Sequence, residues 1–99
     1  MNNNLDIKKV LEAIEYGLDI EEYGAAHGII NLLEYHGFPK ELVLQLSAEV
    51  YVAESKYEKV IEMYEFAIQL YKKQYKEEEI ALLENSIKHI ESIISGNIC

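Results

Sequence analysis

The sequence predicts an all-α domain: five helices in a right-handed stack of antiparallel hairpins. Three observations carry that expectation. The 99 residues include one proline and five glycines, too few for a sandwich or barrel, which turns about every 8–12 residues. Apolar side chains recur at steps of three and four through five separate stretches, the period of an amphipathic helix. Links of two to four residues separate the stretches, so neighbouring helices must double back on each other.

The first helix is expected from about Asp6 to Leu18, with Ile7, Val10, Leu11, Ile14 and Leu18 on one stripe. Asp6 is its expected N-cap, with Asn4 as the alternative. Gly17 and Asp19 mark the break. The second helix is expected from Asp19 to His36, stopped by Gly37, with Pro39 unable to continue it. The third opens at Pro39 or Lys40 and runs to about Glu54. The fourth, from Lys56 or Tyr57 to Gln74 or Tyr75, carries Tyr57, Ile61, Tyr64, Ile68, Tyr71 and Tyr75 on a packed stripe. The fifth begins in Glu77-Glu78-Glu79, acids suited to a helix N-terminal dipole, and ends at Gly96. The whole chain reads as a single domain, with residues 1–5 expected to be disordered and 96–99 frayed.

An internal repeat is visible. An offset of 34 residues brings Tyr23 onto Tyr57, Ile30 onto Tyr64 and Leu33 onto Ala67. From Leu44 to Leu70 the chain fits the tetratricopeptide pattern, with Ala48 and Ala67 at small positions and Tyr51 and Tyr64 at aromatic ones. Val60 stands where that pattern usually has alanine. The upstream copy is weaker, with Ile14 and Gly17 at the corresponding places.

Eighteen acids oppose nine bases, all lysine, for a net charge of −9. The charge is not a tail: seven acids face two lysines in residues 1–37, and eleven face seven in residues 38–99. An acidic surface without arginine is poorly suited to phosphate, so no nucleic-acid partner is expected. Met1-Asn2-Asn3-Asn4 has neither a basic nor an apolar leader segment, so no secretory signal is expected. No apolar run reaches the ~20 residues of a membrane span, so membrane insertion is not expected either. The single cysteine, Cys99, permits no intrachain disulfide. A cytoplasmic protein is the expectation.

No enzyme motif is present: no G-x-S-x-G, no glycine-rich phosphate loop, no H-E-x-x-H and no C-x-x-C. His27, His36 and His89 fall on separate helical stretches without ligand spacing. Neither catalytic residues, nor a metal site, nor a cofactor is expected. Gly24 and Gly28 form a small-x-x-x-small pair. Since a mid-helix glycine costs about 1 kcal/mol relative to alanine, close approach of a neighbouring helix is the expected compensation.

The third helix is the informative one. Leu42, Val43, Leu44, Leu46, Ala48, Val50, Tyr51, Val52 and Ala53 spread around nearly its whole circumference, so all its faces should be covered. Its flanks meet the second and fourth helices. The remaining face forms a concave wall, to be covered by a partner's amphipathic helix or by the fifth helix folding back. Repeat geometry places Leu11, Glu15 and Leu18 of the first helix on that wall, then Leu42, Gln45, Glu49 and Val52 of the third. Leu83 and Ile87 extend it if the fifth helix continues the stack.

From Val10 to Glu62 the chain resembles the tetratricopeptide-type chaperones of type III secretion needle subunits. The resemblance lies in the run Gly24 to Gly37, the apolar helix Leu42 to Val52, and Ser55-Lys56-Tyr57 at a turn where the family has a Gly-Asp-Tyr pattern. It implies a bacterial cytoplasmic chaperone that holds the C-terminal amphipathic helix of a needle subunit. It also implies a second small helical chaperone, in a heterotrimer, and suppression of premature polymerisation.

A second class stays open: an acidic inhibitor or immunity protein that blocks a basic site on its target. That reading expects acids gathered on one face, whereas here they spread over all five helices. A capping fragment of a larger repeat regulator is a third possibility, and an enzyme the least favoured.

Overall fold

A computed structural model of the chain describes residues 6–96; the expectations for residues 1–5 and 97–99 and the alternative cap Asn4 lie outside them. The described residues form five α-helices and no strand: α1 Ile7–Asp19, α2 Tyr23–Tyr35, α3 Lys40–Ala53, α4 Tyr57–Lys73 and α5 Glu77–Ile94. Asp6 caps α1, its carboxylate accepting from the Lys9 N–H at 3.4 Å, which satisfies one of the free donors of the first turn.

The four links share one device. After α1 the Glu22 N–H donates to the Gly17 carbonyl and the Glu21 N–H to that of Leu18. The same pair of bonds recurs after α2 (Phe38 to Leu33, Gly37 to Glu34), α3 (Lys56 to Tyr51, Ser55 to Val52) and α4 (Lys76 to Tyr71, Tyr75 to Lys72). This is the Schellman closure, which needs one residue in the left-handed region. That residue is Glu21, Gly37, Ser55 or Tyr75, with φ of 60°, 85°, 60° and 58°. Only one of the four is glycine. The expectation that α2 begins at Asp19 fails for this reason: α1 runs on to Asp19, and Glu22 both closes α1 and precedes the first residue of α2. Tyr23 and Tyr57, which open α2 and α4, keep the 34-residue offset read from the sequence.

The helices pack chiefly against their chain neighbours, α1 on α2, α2 on α3, α3 on α4 and α4 on α5. The result is a slab of 49 × 37 × 16 Å, its thin dimension about two helix layers. Helix α3 belongs to both ends of it. Val43 and Val50 join Ile14, Ala26, Ile30 and Leu33 in a core shared with α1 and α2. Leu44 packs with Ala67, Ile68, Tyr71 and Leu83, and Ala48 with Val60 and Ile90. An apolar circumference is thus explained on two of its faces.

Two expectations are corrected by the packing. Nothing lies within 4 Å of where a Cβ would sit on Gly24 or Gly28, so neither glycine serves a close helix contact. Gly17 does: a Cβ there would stand 3.4 Å from the Glu22 carbonyl oxygen and 3.5 Å from the Ala26 Cβ. Along α4, Tyr57 and Tyr64 are only half-buried and Tyr71 is the tyrosine taken into the core, while Tyr75 lies past the end of α4 in the left-handed turn and is exposed.

Candidate functional site

The third face of α3 is built by the 3.6-residue period: Leu42, Gln45, Glu49 and Val52 fall on one stripe, away from both cores. Leu42 is 46% and Val52 39% exposed, large apolar side chains left without cover by the fold. Helix α5 leaves both exposed, although its Leu83 and Ile90 reach the inner clusters that hold Leu44 and Ala48 of α3.

Across from this stripe, α1 presents Ile7 and Leu11. Together with Leu42, Gln45, Leu46 and Glu49 they enclose a hollow of about 280 Å³. Leu33 and Phe38 also line it; they are the two ends of the closing bond after α2, so the turn itself sets this wall. Gln45 is fixed in place, its amide donating to the Glu41 carbonyl and to the Tyr71 hydroxyl, both at 3.0 Å.

A second hollow of about 470 Å³ opens at the other end of α3, between Val52, Tyr64 of α4, and Leu82, Asn85, Ser86, His89 and Ile90 of α5. Glu49 stands at the junction: it lines the first hollow, and its charge acts on Tyr64 in the second. The α3 stripe of Leu42, Gln45, Glu49 and Val52 runs from the first hollow to the second, and the two hollows with this stripe are called the trough below.

The trough has a definite electrostatic character. Its Glu49 carboxyl is reachable by water, yet the walls displace much of the surrounding solvent. This desolvation, with the nearby charge of Glu15 as a smaller cause, raises its pKa above the ordinary 4.5. Burial first, and then Glu49, likewise raises that of the Tyr64 hydroxyl. No lysine lines either hollow.

Of the residues expected on the wall, Leu11, Leu42, Gln45 and Glu49 line the first hollow and Val52 the second. Glu15 is exposed on α1 within electrostatic reach of Glu49. Leu18 is half-buried against the core of α1, α2 and α3. Leu83 and Ile87 are misplaced by one residue. Leu83 is 6% exposed inside the core and Ile87 packs against it, while Leu82, 66% exposed, and Ser86 face the trough. One residue is about 100° of helix rotation, enough to exchange wall for core.

The sequence reading also missed Ile7, Phe38, Leu46, Tyr64, Asn85 and His89. Ile7 was legible, one turn before Leu11 on the same stripe. The α5 residues were not, because Asn85, Ser86 and His89 look like an ordinary wet face.

Among the described residues no three His, Cys, Asp or Glu side chains converge as a metal site would need, and no helix is long and apolar enough to cross a membrane. No family model, curated protein or solved structure matches the chain.

Proposed function

We propose that this chain is a binding protein whose trough on α1, α3 and α5 holds the amphipathic helix of a partner. The observation that carries the reading is the uncovered stripe of Leu42 and Val52, flanked by Leu11 and Leu82, all of them large apolar side chains that stay exposed in the packed fold. A helix laid in an apolar groove is the economical cover for such a surface. The 34-residue register of the two hairpins supports a tetratricopeptide-like, right-handed arrangement, the architecture that commonly presents a concave helix-binding face.

The resemblance to needle-subunit chaperones narrows the partner to a subunit that would otherwise assemble through the same helix, held in the bacterial cytoplasm with a second small helical chaperone. Covering an assembly stripe competes directly with assembly, so one groove is enough to act as a chaperone.

The test compares wild type with Leu42→Asp and Val52→Asp as baits in a native-host lysate. Supporting the reading requires a captured client whose bound segment, mapped by cross-linking, is an amphipathic helix. That client should be lost from both variants while their far-UV circular dichroism stays helical. Loss of helicity in parallel with loss of binding would show that these side chains belong to the core, and the site would fall.

A further inference from the structure

We infer that the trough selects for a basic side chain: the helix it accepts places a lysine or arginine between two apolar anchors, against the Glu15–Glu49 pair. The inference rests on the reading of the trough as a helix-binding site and adds to it the chemistry of the ligand.

Glu49 lines the same hollow as Leu11 of α1, and Glu15 stands one turn beyond Leu11 on the same face of α1, which is in keeping with its charge acting on Glu49; neither side chain has a hydrogen bond or ion pair to a described residue. Acids elsewhere on α2 and α3 are supplied with partners: Glu34 has Lys40, Glu41 has Gln74, and Glu54 has His27 and Lys56. The nine lysines are spread over the chain, yet none lines either hollow. The chain therefore sets two acids beside an apolar hollow, Glu49 on its lining and Glu15 a turn beyond Leu11 on the helix across from it, with no lysine on that lining. The other polar groups along the trough do not supply a counter-charge either. Gln45 has its amide engaged, Tyr64 and Ser86 are hydroxyls, Asn85 is neutral, and His89 stands on α5 in the far hollow.

The consequence for a ligand follows from desolvation. A purely apolar helix in the trough would bury Glu49 without a partner, which is costly. An acidic helix would add a third like charge. A helix with one base at the junction neutralises the pair and loses least on drying. Selection then works as much through the penalty on wrong helices as through attraction to the right one. Position along α3 adds a direction. Glu49 lies seven residues beyond Leu42 and three before Val52, about 10 Å and 5 Å along the axis. A base close to one apolar anchor and far from the other would fit in one orientation only.

The test is a displayed library of amphipathic helices with fixed apolar anchor positions and all other positions randomised, selected on the whole chain. Binders that also hold Leu42→Asp/Val52→Asp are removed. The expected winners carry lysine or arginine at one fixed position within a turn of an anchor. Exchanging that base for norleucine should weaken binding roughly ten-fold to wild type, and far less to Glu15→Gln/Glu49→Gln. Trough-dependent winners with no basic preference, or with a base indifferent to the double variant, would overturn this inference and leave the helix-binding reading intact. A library that yields no trough-dependent binder would overturn that reading itself, and this one with it.

Discussion

His27 of α2 and Glu54 at the end of α3 meet at 2.7 Å, Nε2 to Oε2, with the imidazole ring centred 4.6 Å from that of Tyr51. The other carboxylate oxygen of Glu54 takes Lys56 Nζ at 2.9 Å. One side chain, 12% exposed, thus ties α2 to the closing turn of α3. Lys56 first, and His27 after it, hold the Glu54 carboxyl below its ordinary 4.5. A depressed pKa means that the contribution is fully present above that value and is lost as pH falls through the lower, folded one. Glu54→Gln should therefore cost about 1 kcal/mol at neutral pH. The gap from wild type should close in acid, as followed by urea unfolding over a pH series.

Glu49→Gln should act in the opposite sense. Its raised pKa makes the ionised group a burden on the folded state, absent below the ordinary 4.5 and complete above the raised value. The variant should be more stable than wild type at neutral pH and indistinguishable from it in acid. Equal stability at neutral pH would show that the trough does not desolvate this carboxylate.

Gly24→Ala and Gly28→Ala should each stabilise the chain by about 0.5–1 kcal/mol, because a methyl at either position meets nothing and alanine is the better helix former. Thermal melts decide it. Gly17→Leu should behave in reverse, since its added atoms run toward the Glu22 backbone and Ala26; overpacking of this kind costs about 1–3 kcal/mol.

Ser55→Gly removes a strained turn. Ser55 sits at φ 60°, a conformation costing an L-residue roughly 1–2 kcal/mol. Part of the relief is offset by the greater freedom of glycine when unfolded. A net gain of about 0.5 kcal/mol, seen as a higher urea midpoint with unchanged slope, is the expected outcome.

Ile30→Ala should be the severe variant. Ile30 is 1% exposed in the core of α1, α2 and α3, and such truncations cost about 2–5 kcal/mol. Tyr64→Ala, at a half-buried position on the trough, should cost less in stability and more in helix binding. A larger loss of stability from Tyr64 than from Ile30 would reverse the assignment of core and wall.

The legible parts of this fold are those where periodicity and punctuation agree. Five stripes predict five helices, and Gly37 with Pro39 sets the end of α2. The junction of α1 and α2 was not legible, because Glu21 adopts the left-handed turn with nothing in its chemistry to announce it. On the trough, the α3 stripe was legible because Leu42 and Val52 are surplus to a helix with two packed faces already. The α5 wall was not. Leu82 and Leu83 are adjacent leucines, and only the packed structure decides which of them points inward.

The neighbour-on-neighbour packing of the slab bears on how it opens. In such an array each helix is secured mainly by the one before and the one after, so the ends can unzip without the middle. Helices α1 and α5 should exchange their amide hydrogens first, and α3, which is part of every core cluster, should do so only with global unfolding. A ligand that touches α1, α3 and α5 together turns this open row into a closed circuit. Protection would then rise at both ends of the chain at once, far from each other in sequence, from one binding event in the centre.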